Sequence, residues 1–151
     1  MADGLRDQRL QYSKRLHDPS EFQRVYDTKA AVHAPLLVVF LRYRGGTVSR
    51  LGVSVGSKHG NAVRRNRIKR VFRAAFRLSQ DWLPKGMEYV FVPRKGVKEY
   101  STELVLAGLA KARAELEGKA KQAREAAERA AASPAKTKAD SEPAKPELRQ
   151  P

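Results

Sequence analysis

The sequence predicts an α+β fold, a two-layer sandwich in which helices pack against one small sheet. Two kinds of segment predict it. Runs such as "APLLVVFLRY", "SRLGVSVGSK" and "GMEYVFVPRKG" are rich in Val, Leu and aromatics and end in Gly or Pro. Between and around them lie stretches whose apolar residues recur at helical spacing. The order is helix, strand, strand, helix, strand, helix. That order gives three helices on a mixed sheet of three to four strands.

Residues 1–14 are polar and aperiodic and read as a flexible N-terminal arm. "DPSEFQRVYDTK" reads as the first helix. Asp18 or Ser20 can cap it, Pro19 suits its first turn, and Phe22, Val25 and Tyr26 fall on one side. "APLLVVFLRY" is the first strand. In the second, Leu51, Val53 and Val55 alternate with Gly52, Ser54 and Gly56, the period of a half-buried strand. With "RGGT" between them, these two strands are expected to form a hairpin. A helix follows from about Asn61 to Gln80. The last strand alternates Met87, Tyr89 and Phe91 with Glu88, Val90 and Val92, and Pro93 ends it. Ser101 caps the last helix, "STELVLAGLAKARAEL", with Glu103 in its first turn. The folded domain is therefore 15–117. Residues 118–151 form an Ala-, Lys- and Pro-rich tail, a helical continuation first and disordered after it; four of the eight prolines stand in its last part.

The formal net charge of +15 over 151 residues points to a polyanionic partner. No Asp or Glu occurs between Thr28 and Gln80, whereas twelve Lys and Arg do. On a helical wheel, Ile68, Val71, Phe72, Ala75 and Leu78 form the core stripe, with Phe76 at its margin. Arg65, Lys69, Arg73 and Arg77 stand four apart on another side, with Asn66 and Arg70 beside them. Like charges at that spacing repel. A one-signed ladder therefore implies phosphates outside the chain, whose binding releases counterions. The excess of Arg over Lys suits bidentate contact with phosphate oxygens. The amide of Asn66 can read a base edge or ribose, or orient Arg70; both roles stay open.

Several classes are excluded or unsupported. The chain has no cysteine, so disulfides and thiolate metal sites are ruled out. The longest apolar run, 34–41, is far short of a membrane span, and the first residues have no apolar secretory segment. A cytoplasmic protein with no membrane partner is expected. His17, His33 and His59 lack metal-ligand spacing, and no nucleophilic triad or paired carboxylates are visible. No catalytic or metal-binding residue is assigned. Trp82 reads as a core anchor, and the single "RGG" as a turn.

"GNAVRRNRIKRVFRAAFR" resembles the hallmark of the bacterial ribonuclease P protein subunit, an Arg-Asn-Arg core followed by Lys-Arg and a further Arg. Here these are Arg65, Asn66, Arg67, Lys69, Arg70 and Arg73. "RLHDPSEFQRVYD", "RLGVSVGSKHGNAV" and "YVFVPRKG" resemble the flanking segments of that family. One departure stands out: Ser57 and Lys58 occupy the place of two adjacent lysines, so one phosphate contact is either missing or replaced by a hydroxyl.

The resemblance implies a fold like ribosomal protein S5 domain 2, with a left-handed strand–helix–strand crossover, opposite to the general rule. It implies a protein subunit that binds the catalytic RNA and the 5′ leader of precursor tRNA, and so promotes endonucleolytic removal of that leader. The RNA and its Mg2+ carry the chemistry, with no cofactor on the protein and one protein per RNA. By matching position, the catalytic RNA would meet Lys58, Asn61, Arg64, Arg65, Asn66, Arg67, Lys69, Arg70 and Arg73. The leader would meet Phe22, Tyr26 and Phe40. Single strands are held by aromatic platforms beside positive charge. Core packing competes with that role for Phe22 and Phe40, while the Tyr26 hydroxyl tolerates water. The alternatives are a non-catalytic RNA-binding protein of ribosomal type, or a DNA- or membrane-surface protein. A membrane helix would need its apolar stripe free, and here that stripe is needed by the sheet.

Overall fold

The structure is a computed structural model and describes residues 12–131. The readings of residues 1–11 as an arm and of 132–151 as a disordered tail lie outside the described residues. The architecture is α+β. In chain order it comprises α1 (Pro19–Asp27), β1 (Ala31–His33), β2 (Leu37–Tyr43), β3 (Arg50–Val53), α2 (Ala62–Leu78), β4 (Met87–Pro93), α3 (Thr102–Lys111) and α4 (Arg113–Ala131). Single turns of 3-10 helix stand at Tyr12–Lys14 and Ser57–His59.

The strands form one mixed sheet in the order β1-β2-β4-β3. β4 is antiparallel to β2 and parallel to β3, so β3, α2 and β4 form a crossover unit. The expected β2–β3 hairpin is not formed, because β4 lies between the two strands. The reason is the apolar content of β4, which is buried along nearly its whole length and takes the central place. The glycine turn after β2 docks on the start of β4 instead. The N–H groups of Arg44 and Gly45 donate to the Gly86 carbonyl at 2.8 and 3.1 Å. A Cβ on Gly86 (φ +74°) would stand 2.5 Å from the Gly46 carbonyl oxygen, so glycine is required there.

One face of the sheet carries the main core. Leu37, Val39, Leu41, Tyr89 and Phe91 meet Ile68, Phe72 and Phe76 of α2, Val105 and Leu109 of α3, and Leu116 of α4. Phe72 and Phe76 pack edge-on against Phe91 at 5.9 and 6.1 Å. Phe76 is thus inside the core rather than at its margin, while Leu78 is 49% exposed. The helix ends at Leu78, whose side chain has turned past the sheet. The expected last helix is two. Ser101 Oγ accepts from the Leu104 N–H at 3.1 Å as the cap of α3, and the helix breaks at Ala112. There the Arg113 guanidinium lies 5.1 Å from the Trp82 ring centre. α4 runs on past residue 117, and Leu116 and Ala120 are buried against the core.

α1 covers the other face, which explains why β4 does not alternate. Val90 is buried there against Leu16 and Val25, with Phe22, Tyr26, Phe40 and Val92 half-buried around them. Pro19 opens the helix and Glu21 reaches back to accept from the His17 and Asp18 N–H groups at 2.6 and 3.1 Å. The Phe22 ring lies over Gly52; a Cβ at 52 would stand 2.6 Å from its Cε2. The glycine in β3 therefore makes room for the ring.

Glu88, 2% exposed in the middle of the sheet, faces Arg42 and Arg50 across the ladder. Its Oε1 lies 3.0 Å from Arg42 Nη1, and its Oε2 lies 3.6 Å from Arg50 Nη1 and 3.8 Å from Arg44 Nε. Arg50 also meets Glu21 Oε2 at 3.2 Å and donates to the Arg15 carbonyl at 2.8 Å. This network ties α1 and the segment before it to the sheet.

Two outcomes follow from this packing. Gly52→Ala forces the Phe22 ring off β3 and lowers stability by about 1–3 kcal/mol in urea denaturation, the usual scale for overpacking. The Glu21 carboxyl is held down from 4.5 to about 2, chiefly by the His17 and Asp18 N–H groups and then by Arg50. A depressed carboxyl stabilises above its unfolded value and loses that contribution as the pH falls through its folded value. The stability gap between wild type and Glu21→Gln should be constant above pH 4.5 and shrink toward pH 2.

Candidate nucleic-acid interface

Gly60 stands just before the N-cap of α2; its φ of +119° favours glycine, and a Cβ there would stand 2.7 Å from Arg64 Cδ. Asn61 is the N-cap: its Oδ1 accepts from the Arg64 N–H at 3.0 Å. The Arg64 side chain crosses over Gly60. Its Nε donates to the His59 carbonyl at 2.7 Å, and its Nη1 and Nη2 donate to the carbonyls of Lys98 and Val97 at 3.1 and 3.0 Å. Arg65 Nε donates to the Gly60 carbonyl at 3.1 Å. So Asn61 and Arg64 have structural tasks. They fix the start of α2 and hold the loop after β4 beside it.

The rest of the basic set is differently placed. Asn66, Arg67, Arg70 and Lys58 are exposed, and Arg65, Lys69, Arg73 and Arg77 are half-buried along the flank of the core stripe. The four-spaced ladder is thus a border between core and solvent, and the outermost cations are Arg67 and Arg70. Among the described residues, no carboxylate pairs with Lys58, Arg67, Lys69 or Arg70. The His59 imidazole is pushed down by burial and then by Lys58, Arg64 and Lys95, which keeps it neutral near pH 7. Burial, and then Arg15, push the Arg73 guanidinium down as well.

The three aromatics come together on the α1 face of the sheet. Tyr26 and Phe40 meet edge-to-face with ring centres 5.0 Å apart. Phe22, one turn earlier on α1, lies over Gly52. All three are half-buried, so they pack and still present ring surface to solvent. Beyond them the paired Val38 and Val92 continue the face, also half-buried. From β3 the chain runs through Lys58 into α2, which packs on the face of the sheet opposite to the aromatics.

Sequence reasoning missed the Glu88 network, which positions α1 and with it Phe22 and Tyr26. The signal was present as a lone acid inside the apolar run "MEYVFVP". Its arginine partners are forty or so residues away and become neighbours only through the strand order.

The chain matches the family model described as Ribonuclease P over residues 10–117. The ribonuclease P protein component of Clostridium kluyveri is 40% identical over 83 residues, covering 54% of this chain and 74% of that protein. That of Oleidesulfovibrio alaskensis is 40% identical over 95 residues, covering 62% and 76%. The solved ribonuclease P protein of Thermotoga maritima superposes with a TM-score of 0.60 at 31% identity, covering 66% of this chain and 94% of that one. The Staphylococcus aureus protein gives 0.57 at 29% identity, covering 65% and 90%. Sequence and fold agree, and the chain belongs to the ribonuclease P protein family.

Proposed function

We propose that this chain is the protein subunit of ribonuclease P, acting with its RNA on precursor tRNA in the cytoplasm. The observation that carries the reading is the exposed edge of α2. Asn66, Arg67 and Arg70 form a surface without a single carboxylate partner among the described residues, inside the segment matched to the family. Such a surface lowers its own repulsion by meeting phosphates and releasing their counterions. Arg67 and Arg70 bind phosphate oxygens of the RNA subunit, with Lys58, Lys69 and the free donors of Arg65 and Arg73 beside them. Asn66 contributes a polar contact. Asn61 and Arg64 act mainly by shaping the helix start.

The aromatic face takes the 5′ leader of precursor tRNA. Tyr26 and Phe40 offer ring surface to unpaired bases, and Phe22 supports Tyr26 from the same helix. Stacking of this kind tolerates any sequence, as a leader demands. The chain supplies binding and orientation, one protein per RNA. The RNA and the Mg2+ it holds supply the cleavage chemistry. No helix among the described residues is long and apolar enough to cross a membrane.

The direct test is cleavage of precursor tRNA at low magnesium by the cognate RNA alone, with this protein, and with Arg67→Ala/Arg70→Ala. The wild type should restore leader removal. The double variant should need more protein to do so, with the salt slope of RNA binding reduced by about one per lost contact. Stimulation by neither protein would defeat the assignment. Tyr26→Ala should weaken precursor tRNA binding by about tenfold, within the roughly 1–3 kcal/mol of one stacked base. Mature tRNA, which lacks a leader, should bind it as before.

A further inference from the structure

α4 leaves the segment matched to the family at residue 117 and continues to Ala131. Its outer turns lie beside the α1–β1 turn and β2, and a groove of about 550 Å³ opens between them. Three cations line it: Lys29 from the turn, Arg42 from β2 and Lys119 from α4. Tyr43 and Gln122 add a hydroxyl and an amide, and no carboxylate lines it. Arg42 is held in place by Glu88 underneath. The ammonium groups of Lys29 and Lys119 have no carboxylate partner among the described residues.

A second observation concerns the backbone. Lys29 has a φ of +58°, the only non-glycine residue at positive φ among the described residues. It follows the C-cap of α1, where glycine is the usual residue because a Cβ is strained in that conformation. The residue that carries this strained backbone is thus one that lines the groove.

We propose that this groove is a second phosphodiester-binding site, taking a stretch of RNA backbone that the basic helix and the aromatic face do not reach. The proposal rests on the ribonuclease P reading for the identity of the polyanion. The two uncompensated ammonium groups of Lys29 and Lys119 over a floor of small alanines admit a sugar–phosphate strand, and Arg42, already paired with Glu88, adds hydrogen-bond donors rather than net charge. The strand belongs either to the RNA subunit or to precursor tRNA.

The test uses the full chain and the variant Lys29→Gly/Lys119→Ala, leaving Arg42 in place so that Glu88 keeps its partner. Lys29→Gly relieves the positive φ, so the melting temperature should hold or rise, which separates lost binding from lost folding. Affinity for the RNA subunit, and affinity of the assembled complex for precursor tRNA, are each measured against salt. Each lysine removed should lower the salt slope by about 0.7–0.9 and affinity by about fourfold near 0.15 M salt. Loss in the first measurement assigns the groove to the RNA subunit, and loss in the second alone assigns it to precursor tRNA. No loss in either overturns the proposal. Arg67→Ala/Arg70→Ala runs alongside. If it loses affinity while the groove variant does not, only the groove fails; if neither loses affinity, the ribonuclease P reading fails with it.

Discussion

β4 is buried on both faces, and the placement of every other element answers to that constraint. A strand apolar on both sides needs a layer above and a layer below. α2, α3 and α4 supply one; α1 and the turn before it supply the other. Because β4 is central, β2 and β3 can be its neighbours but not each other's. The functional surfaces follow from the same geometry. α2 must cross over the core to connect β3 with β4, so its apolar stripe is used up in packing and its basic edge is turned outward. α1 is too short to cover its face of the sheet, so its own Phe22 and Tyr26 and the facing Phe40 stay half-exposed.

The arginines of the long acid-free window divide into two groups with different physics. Arg42, Arg44 and Arg50 converge on Glu88, and Arg64 closes on three carbonyls. These have their partners within the fold. Burying a carboxylate is costly, and several guanidinium groups around it are what makes the burial tolerable. Arg67 and Arg70 have no such partner, and their charge remains available to an outside anion. A count of basic residues does not separate the groups; register and burial do.

The parts of this molecule legible in the sequence are those fixed by neighbours along the chain. Pro19 and Ser101 mark helix starts, the one-signed ladder marks a strongly basic helix, and Phe22 with Tyr26 at one-turn spacing marks a shared side. What stayed hidden depends on distant partners. The hairpin expected from "RGGT" failed because the better partner of both strands lies past α2. β1, three residues long, gives no periodic signal. The break at Ala112 leaves no Gly or Pro to announce it. Leu78 fits the wheel but lies where the helix has already passed the sheet. Arg64 is locally indistinguishable from Arg65, and only the fold around Gly60 gives it a different task.

The strand order also bears on the chain as it is being made. β2 and β3 are both complete before Met87–Pro93, the strand that separates them, has been synthesised. For that interval each offers an unpaired edge, and the glycine turn between them favours the wrong pairing. A hairpin closed there would crowd Arg42, Arg44 and Arg50 at one end with Glu21, on Arg50, as the one acid partner already made, and facing like charges oppose pairing. Glu88, the acid that all three share, arrives only with β4. The arginines that Glu88 draws together in the finished sheet thus disfavour the competing hairpin for as long as the strand belonging between β2 and β3 has yet to emerge.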